Sequence, residues 1–163
     1  MTTQNERFQT LFKQYEKEKN HEPTGLREVI EWAVKEGKLE LPDVDPYDVL
    51  TRQMGSALRE QYEIDHATGR RYRVNHAVKM TKDGAQNTFW GIMGFAPRNH
   101  MQMAFTQRRE QVIGDLAQLN TDVVVYNSKN PKEEPIQIVM DFTEDVAERE
   151  VVYLNRQTKK EAA

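Results

Sequence analysis

The stretch DPYDVLTRQMGSALREQYEIDHATGRRYRVNHA, residues 45–77, decides how this chain folds. Asp45 is an N-cap residue type, Pro46 suits the first helical position and Asp48 falls in the first turn. A helix therefore starts here and runs to about Gln61, burying Val49, Leu50, Met54, Ala57 and Leu58 and leaving Thr51, Arg52, Ser56 and Arg59 on its other sides. The pattern then changes to period two. Tyr62–Asp65 and Arg71–Asn75 alternate, and Ala67-Thr68-Gly69-Arg70 joins them, with Gly69 free to take positive φ. The spacing predicts a hairpin over 62–77.

Toward the N-terminus, Phe8, Leu11, Phe12 and Tyr15 recur at helical spacing and predict a helix over 5–19, broken at Asn20–Pro23. Thr24 reads as the cap of a second helix over 24–36, with Leu26, Val29, Ile30 and Ala33 inward and Gly37 closing it. Lys38–Leu41 alternates and predicts a short strand ending at Pro42.

Toward the C-terminus, Lys82-Asp83-Gly84 reads as a turn and Thr88-Phe89-Trp90 as a strand. Pro97 opens a long helix. Phe105, Arg109, Val112, Leu116, Leu119, Val123 and Tyr126 follow 4-3-4-3 spacing, the pattern of a coiled-coil seam or of a bundle helix. The helix is assigned over 98–120. Residues 121–127 stay open, because Val123-Val124-Val125-Tyr126 has high β propensity and could pair with 135–139. Thr143 caps a last helix over 144–156, and 158–163 reads as a frayed tail.

The fold class is α+β and mainly helical. A helix–hairpin half over 1–82 packs with a long-helix half over 88–163 as one domain. The chain has 163 residues and no cysteine, so disulfides, thiolate nucleophiles and thiolate metal ligands are excluded. No apolar run is long enough to cross a bilayer, and residues 1–10 lack the apolar core of a signal peptide. A cytoplasmic protein is expected.

The net charge of −3 conceals segregation: residues 66–109 carry eight Lys/Arg and one acid, while the segments on either side carry −5 each. Such a block can neutralise phosphates with release of counterions, and Tyr72, Phe89 and Trp90 within it could stack on unpaired bases. Alternatively, the flanking acids neutralise it across the fold or across a dimer.

The order helix 24–36, strand 38–41, helix 45–61, hairpin 62–77 resembles a winged-helix domain, through Asp45-Pro46 opening the recognition helix and Thr68–Arg73 as the wing. The resemblance covers about a third of the chain and rests on element order. It implies a helix in the major groove and a basic wing on the phosphates. Arg52, Ser56 and Arg59 would then face bases, while Arg70, Arg71, Arg73 and, within the basic block, Lys79 would hold the backbone.

The expected function is non-catalytic binding of nucleic acid, duplex DNA foremost, by a dimer joined through Phe105, Val112, Leu116, Leu119 and Val123. The alternative is a protein–protein interaction or small structural module using the same seam and the basic block. No metal, cofactor or small-molecule substrate is expected. Asp141, Glu144, Asp145 and Glu148 fit a helix start better than a metal site. His66, His76 and His100 lack metal-ligand spacing, and no phosphate-loop, dinucleotide or serine-nucleophile motif is present.

Overall fold

A computed structural model describes residues 3–161 of the chain. Among them are helices α1 (Gln4–Glu18), α2 (Leu26–Lys35), α3 (Pro46–Glu60), α4 (Arg98–Lys129) and α5 (Thr143–Glu161), and strands β1 (Thr24–Gly25), β2 (Tyr62–Ile64), β3 (Arg71–Arg73), β4 (Asn75–Lys82) and β5 (Ala85–Ile92). The α+β, mainly helical class holds. The chain divides into two units. The first comprises the residues up to Ile64 and Arg71–Thr106, the second Asp65–Arg70 and the residues from Gln107 onward.

In the first unit, α1 starts in a capping box: the Thr3 hydroxyl accepts from the Glu6 amide, and the Glu6 carboxylate accepts from the Thr3 amide at 2.7 Å. Phe8, Leu11, Phe12 and Tyr15 of α1, Val29, Ile30 and Ala33 of α2, and Leu50, Met54, Ala57 and Leu58 of α3 form one core with Trp90 and Ile92 of β5. Each large side chain so buried contributes about 1.5–3 kcal/mol. Pro46 opens α3 as expected, but Asp45 makes no side-chain capping bond. Val49 is half-buried rather than buried.

Strand placement departs from expectation in three ways. Thr24 does not cap α2: Thr24 and Gly25 are β1, paired with Trp90 and Phe89, and Gly25 occupies the cap position. Residues 38–41 form no strand, because the Lys38 and Leu39 amides both bond the Ala33 carbonyl, turning the chain so that Leu39 is buried. The hairpin is split. Tyr62–Ile64 pairs with Arg71–Arg73, with Gly69 at φ 69° in the connection, whereas Asn75–Lys82 pairs with Ala85–Ile92. The second hairpin turns at Asp83 and Gly84, both at positive φ as a tight turn of this hand requires. The sheet order is β1-β5-β4, with β2-β3 separate.

Gly91 sets the passage from β5 into α4. A Cβ there would lie 2.7 Å from the Ala96 Cβ and 3.0 Å from the His100 ring. The His100 Nε2 lies 2.9 Å from the His76 carbonyl oxygen, rooting α4 on β4. Helix α4 then continues through 121–127 to Lys129, so Val123–Tyr126 forms no hairpin with 135–139. In the second unit α5 begins at Thr143, whose amide and hydroxyl donate to Asp141, and it extends past 156 to Glu161. The expected frayed tail is thus helical to 161, and its last two residues lie outside the described ones.

One of the buried polar positions is acidic. Glu16 is fully buried, and neither carboxylate oxygen has a hydrogen-bond partner among the described residues. Burial first, and the Glu22 charge second, push its pKa from 4.5 up to about 7. The His21 Nδ1 is 3.7 Å away, on a ring stacked 4.2 Å from that of Phe95. A raised carboxyl pKa means that the folded chain holds this proton more tightly than the unfolded one. The stability it protects is complete below about pH 4.5 and declines as pH rises to about 7. Glu16→Gln is expected to remove that decline and to stabilise the protein at pH 8 by about 1–3 kcal/mol. Urea midpoints measured from pH 4.5 to pH 8 check this; equal slopes in both proteins would refute it.

Candidate nucleic-acid interface

Helix α3 presents Asp48, Arg52, Ser56 and Arg59 along one exposed face, spaced by four, four and three residues. Its inner edge flanks a groove closed by Leu26 at the start of α2 and by Thr88 and Trp90 of β5; Asp48, Thr51, Arg52, Gly55 and Arg59 line it from the helix side. Gly55 faces both walls of the groove: a Cβ there would make ordinary contact with Leu26 at 3.6 Å and Trp90 at 3.7 Å. The groove continues along β5 past Asn87 and Gln86 to Lys82 at the hairpin end, with Arg27 and Glu28 on its α2 side.

Arg59 lies with its guanidinium carbon 5.2 Å from the Trp90 ring centre, and Arg27 sits 4.9 Å from that of Tyr47. Asp48 raises the pKa of Asp45 beside it, chiefly through a hydrogen bond between the two carboxyls. The groove therefore carries Arg27, Arg52, Arg59 and Lys82 against Glu28 and Asp48. Lys79 pairs with Thr88 across β4 and β5, so both project from one face of the sheet.

The other expected contacts go elsewhere. Arg71 sits 3.9 Å from the Tyr62 ring centre, and the Arg73 Nε donates to the Tyr62 hydroxyl at 3.0 Å. These two arginines thus converge on a tyrosine of β2. Arg70 belongs to the second unit, where it pairs with Glu150 of α5 at 2.5 Å. One basic-block residue is therefore neutralised by the acidic C-terminal segment. Trp90 is 2% exposed and cannot stack on a base, while Tyr72 and Phe89 are half-buried. Of Arg52, Arg59, Arg71 and Arg73, none forms an ion pair among the described residues.

Sequence reasoning missed Arg27, Thr51 and Lys82 as groove residues. Lys82 was visible as part of the basic block, but its place beside α3 depends on the β4–β5 register. Among the described residues, no three His, Asp or Glu side chains gather where a metal could sit. His76 and His100 are both buried, each with its Nε2 2.9 Å from a backbone carbonyl oxygen.

No family model matches this sequence, and neither a curated protein nor a solved structure matches it.

The Arg70–Glu150 pair is half exposed on both sides, at 50% and 52%. Such a pair is worth about 0–1 kcal/mol. Arg70→Ala and Glu150→Ala are each expected to shift unfolding free energy by less than about 1 kcal/mol, measured by urea denaturation. A larger loss in either would show that the pair holds structure in place.

Proposed function

We propose that this protein is a non-catalytic duplex-DNA-binding protein of winged-helix type, with α3 offered to the major groove and β4–β5 as the wing. The observation that carries this reading is the groove lined by Arg52 and Arg59, with the adjoining one that reaches Arg27 and Lys82. Two helices, α2 and α3, lie between the first strand and the long hairpin, as a winged helix requires. The wing is thus β4–β5 rather than residues 62–77.

On this reading Arg52 and Ser56 reach base edges, and Arg59 does so from the last turn of α3. Lys79 and Lys82 contact phosphates without reading sequence. The burial of Trp90 favours duplex over single strand, because base stacking needs an open aromatic face. Arg71 and Arg73 supply further phosphate contacts, whereas Arg70 is occupied by Glu150.

Fluorescence anisotropy with a labelled duplex tests this at several salt concentrations. Affinity should fall steeply with salt. Arg52→Ala and Arg59→Ala should each cost about 1–3 kcal/mol on a selected target sequence. Lys79→Ala with Lys82→Ala should weaken all duplexes alike and reduce the salt slope by about 1 for each phosphate no longer neutralised. Arg70→Ala should bind as the parent does. Failure to bind at low salt, or parental binding by the doubly substituted Arg52→Ala, Arg59→Ala protein, would overturn the reading.

A second reading, an interaction or structural module that binds a protein partner through the α4 seam, is favoured by one observation. No described residue of the second unit is buried.

A further inference from the structure

The turn after α1 is held in a costly shape. Asn20 and His21 stand at φ 53° and 57°, two consecutive left-handed residues of which neither is glycine. The chain bends there so that the His21 amide donates to the Glu16 carbonyl at 2.8 Å and the Glu22 amide to that of Lys19 at 3.3 Å. This shape lays the His21 ring against the Glu16 carboxyl group. The His21 Nδ1 lies 3.7 Å from Oε2, and that nitrogen and both carboxyl oxygens are closed off from solvent without a hydrogen-bond partner among the described residues.

One face of the imidazole is stacked on Phe95, with 4.2 Å between ring centres and 15° between planes. Phe95 belongs to a firm turn between β5 and α4. The Met93 amide donates to the Val74 carbonyl at 2.7 Å, and the Phe95 and Ala96 amides both donate to the Ile92 carbonyl. The Phe95 residue is nevertheless 60% exposed, so its stack on His21 buries little apolar surface. A strained turn on one side and a light ring contact on the other thus cover a buried acid.

We propose that Glu16, His21 and Phe95 form a proton-operated clasp: the neutral carboxyl keeps the turn 20–22 shut against Phe95, and its ionisation swings that turn outward so that water reaches the carboxylate. The groups around Glu16 do little for its ionised form. Glu22, in the turn itself, repels it. His21 is its one ion-pair partner among the described residues, and a neutral imidazole can offer it one N–H at most, leaving the second oxygen bare. The Tyr15 hydroxyl of α1 is engaged with Glu28 at 3.4 Å. Phe95, from the β5–α4 turn, has no donor to give. Burial first, and Glu22 second, therefore hold the closed-form pKa at about 7 against an ordinary 4.5. The proton keeps the clasp fully shut below about pH 4.5, and its hold is lost as pH rises through about 7. Swinging out one strained turn is a smaller event than unfolding the core, so the response is local.

Amide hydrogen exchange of the full chain, corrected for intrinsic rates and read from about pH 5 to about pH 8.5, tests the clasp. The opening constant of the His21 amide should rise about tenfold per pH unit above about pH 7. It should not respond to low urea, as befits a local opening, whereas the Ile30 amide in the core should respond. The Phe95 amide should keep its protection, because its own turn stays in place. Glu16→Gln should abolish the pH dependence at His21, and Glu16→Met gives the same test if the glutamine protein does not fold. Phe95→Ala should raise the His21 opening constant several-fold near pH 6 and leave its pH slope unchanged. A His21 opening constant that is flat with pH, or that follows urea as Ile30 does, would sink the proposal. So would parental His21 protection in the Phe95→Ala protein.

Discussion

Strand β5 is the constraint on which the first unit depends. It is the middle strand of its sheet, with Thr24 opposite Trp90 on one side and Ala77 opposite it on the other. The Trp90 ring closes the core beneath α2 and α3, approaches Gly55 from below and carries Arg59 above. A single buried indole thus sets how far α3 stands from the sheet. That spacing in turn sets the width of the groove that holds Arg52, Arg59 and Lys82. The same strand ends at Gly91, where the absence of a Cβ lets Ala96 and His100 close over it and start α4.

Much of the helical layer was legible from residues alone. Pro46 and the apolar spacing of α3 located that helix to within a residue, and Lys82-Asp83-Gly84 located a hairpin turn. What escaped was pairing. A two-residue strand such as Thr24–Gly25 offers no alternation to detect, and Thr24 looks equally like a cap. Residues 38–41 alternate but find no partner strand, so two amides bonded to Ala33 decide their path instead. The valines at 123–125 have strand propensity, but they follow an already nucleated helix, and adding a turn to it is easier than starting a hairpin.

The candidate interface divides in the same manner. Arg52, Ser56 and Arg59 share a face by helical spacing alone, so sequence suffices to group them. Lys82 and Arg27 join them only through the register of β5 against β1 and β4. Arg70 could not be separated from Arg71 and Arg73 beforehand, because its partner Glu150 lies 80 residues away. The buried Glu16 gave no warning either, since a glutamate one position past a core tyrosine looks like a solvated residue until tertiary packing closes over it.

The pairing of Thr24 with Trp90 also bears on how the chain acquires its structure during synthesis. Helices α1, α2 and α3 leave the ribosome with their apolar faces complete but without the strand that covers them. Closure waits until β5 has emerged, a non-local contact that must bear its loop entropy before it is rewarded. In that interval Phe8, Phe12, Ile30 and Leu58 can pack only among the three helices, and the places that Trp90 and Ile92 fill stay open. The β4–β5 hairpin is local and can form as soon as it appears, so its arrival converts an exposed helical layer into a closed body in one step. The core of the first unit is therefore completed only after residue 92 has emerged.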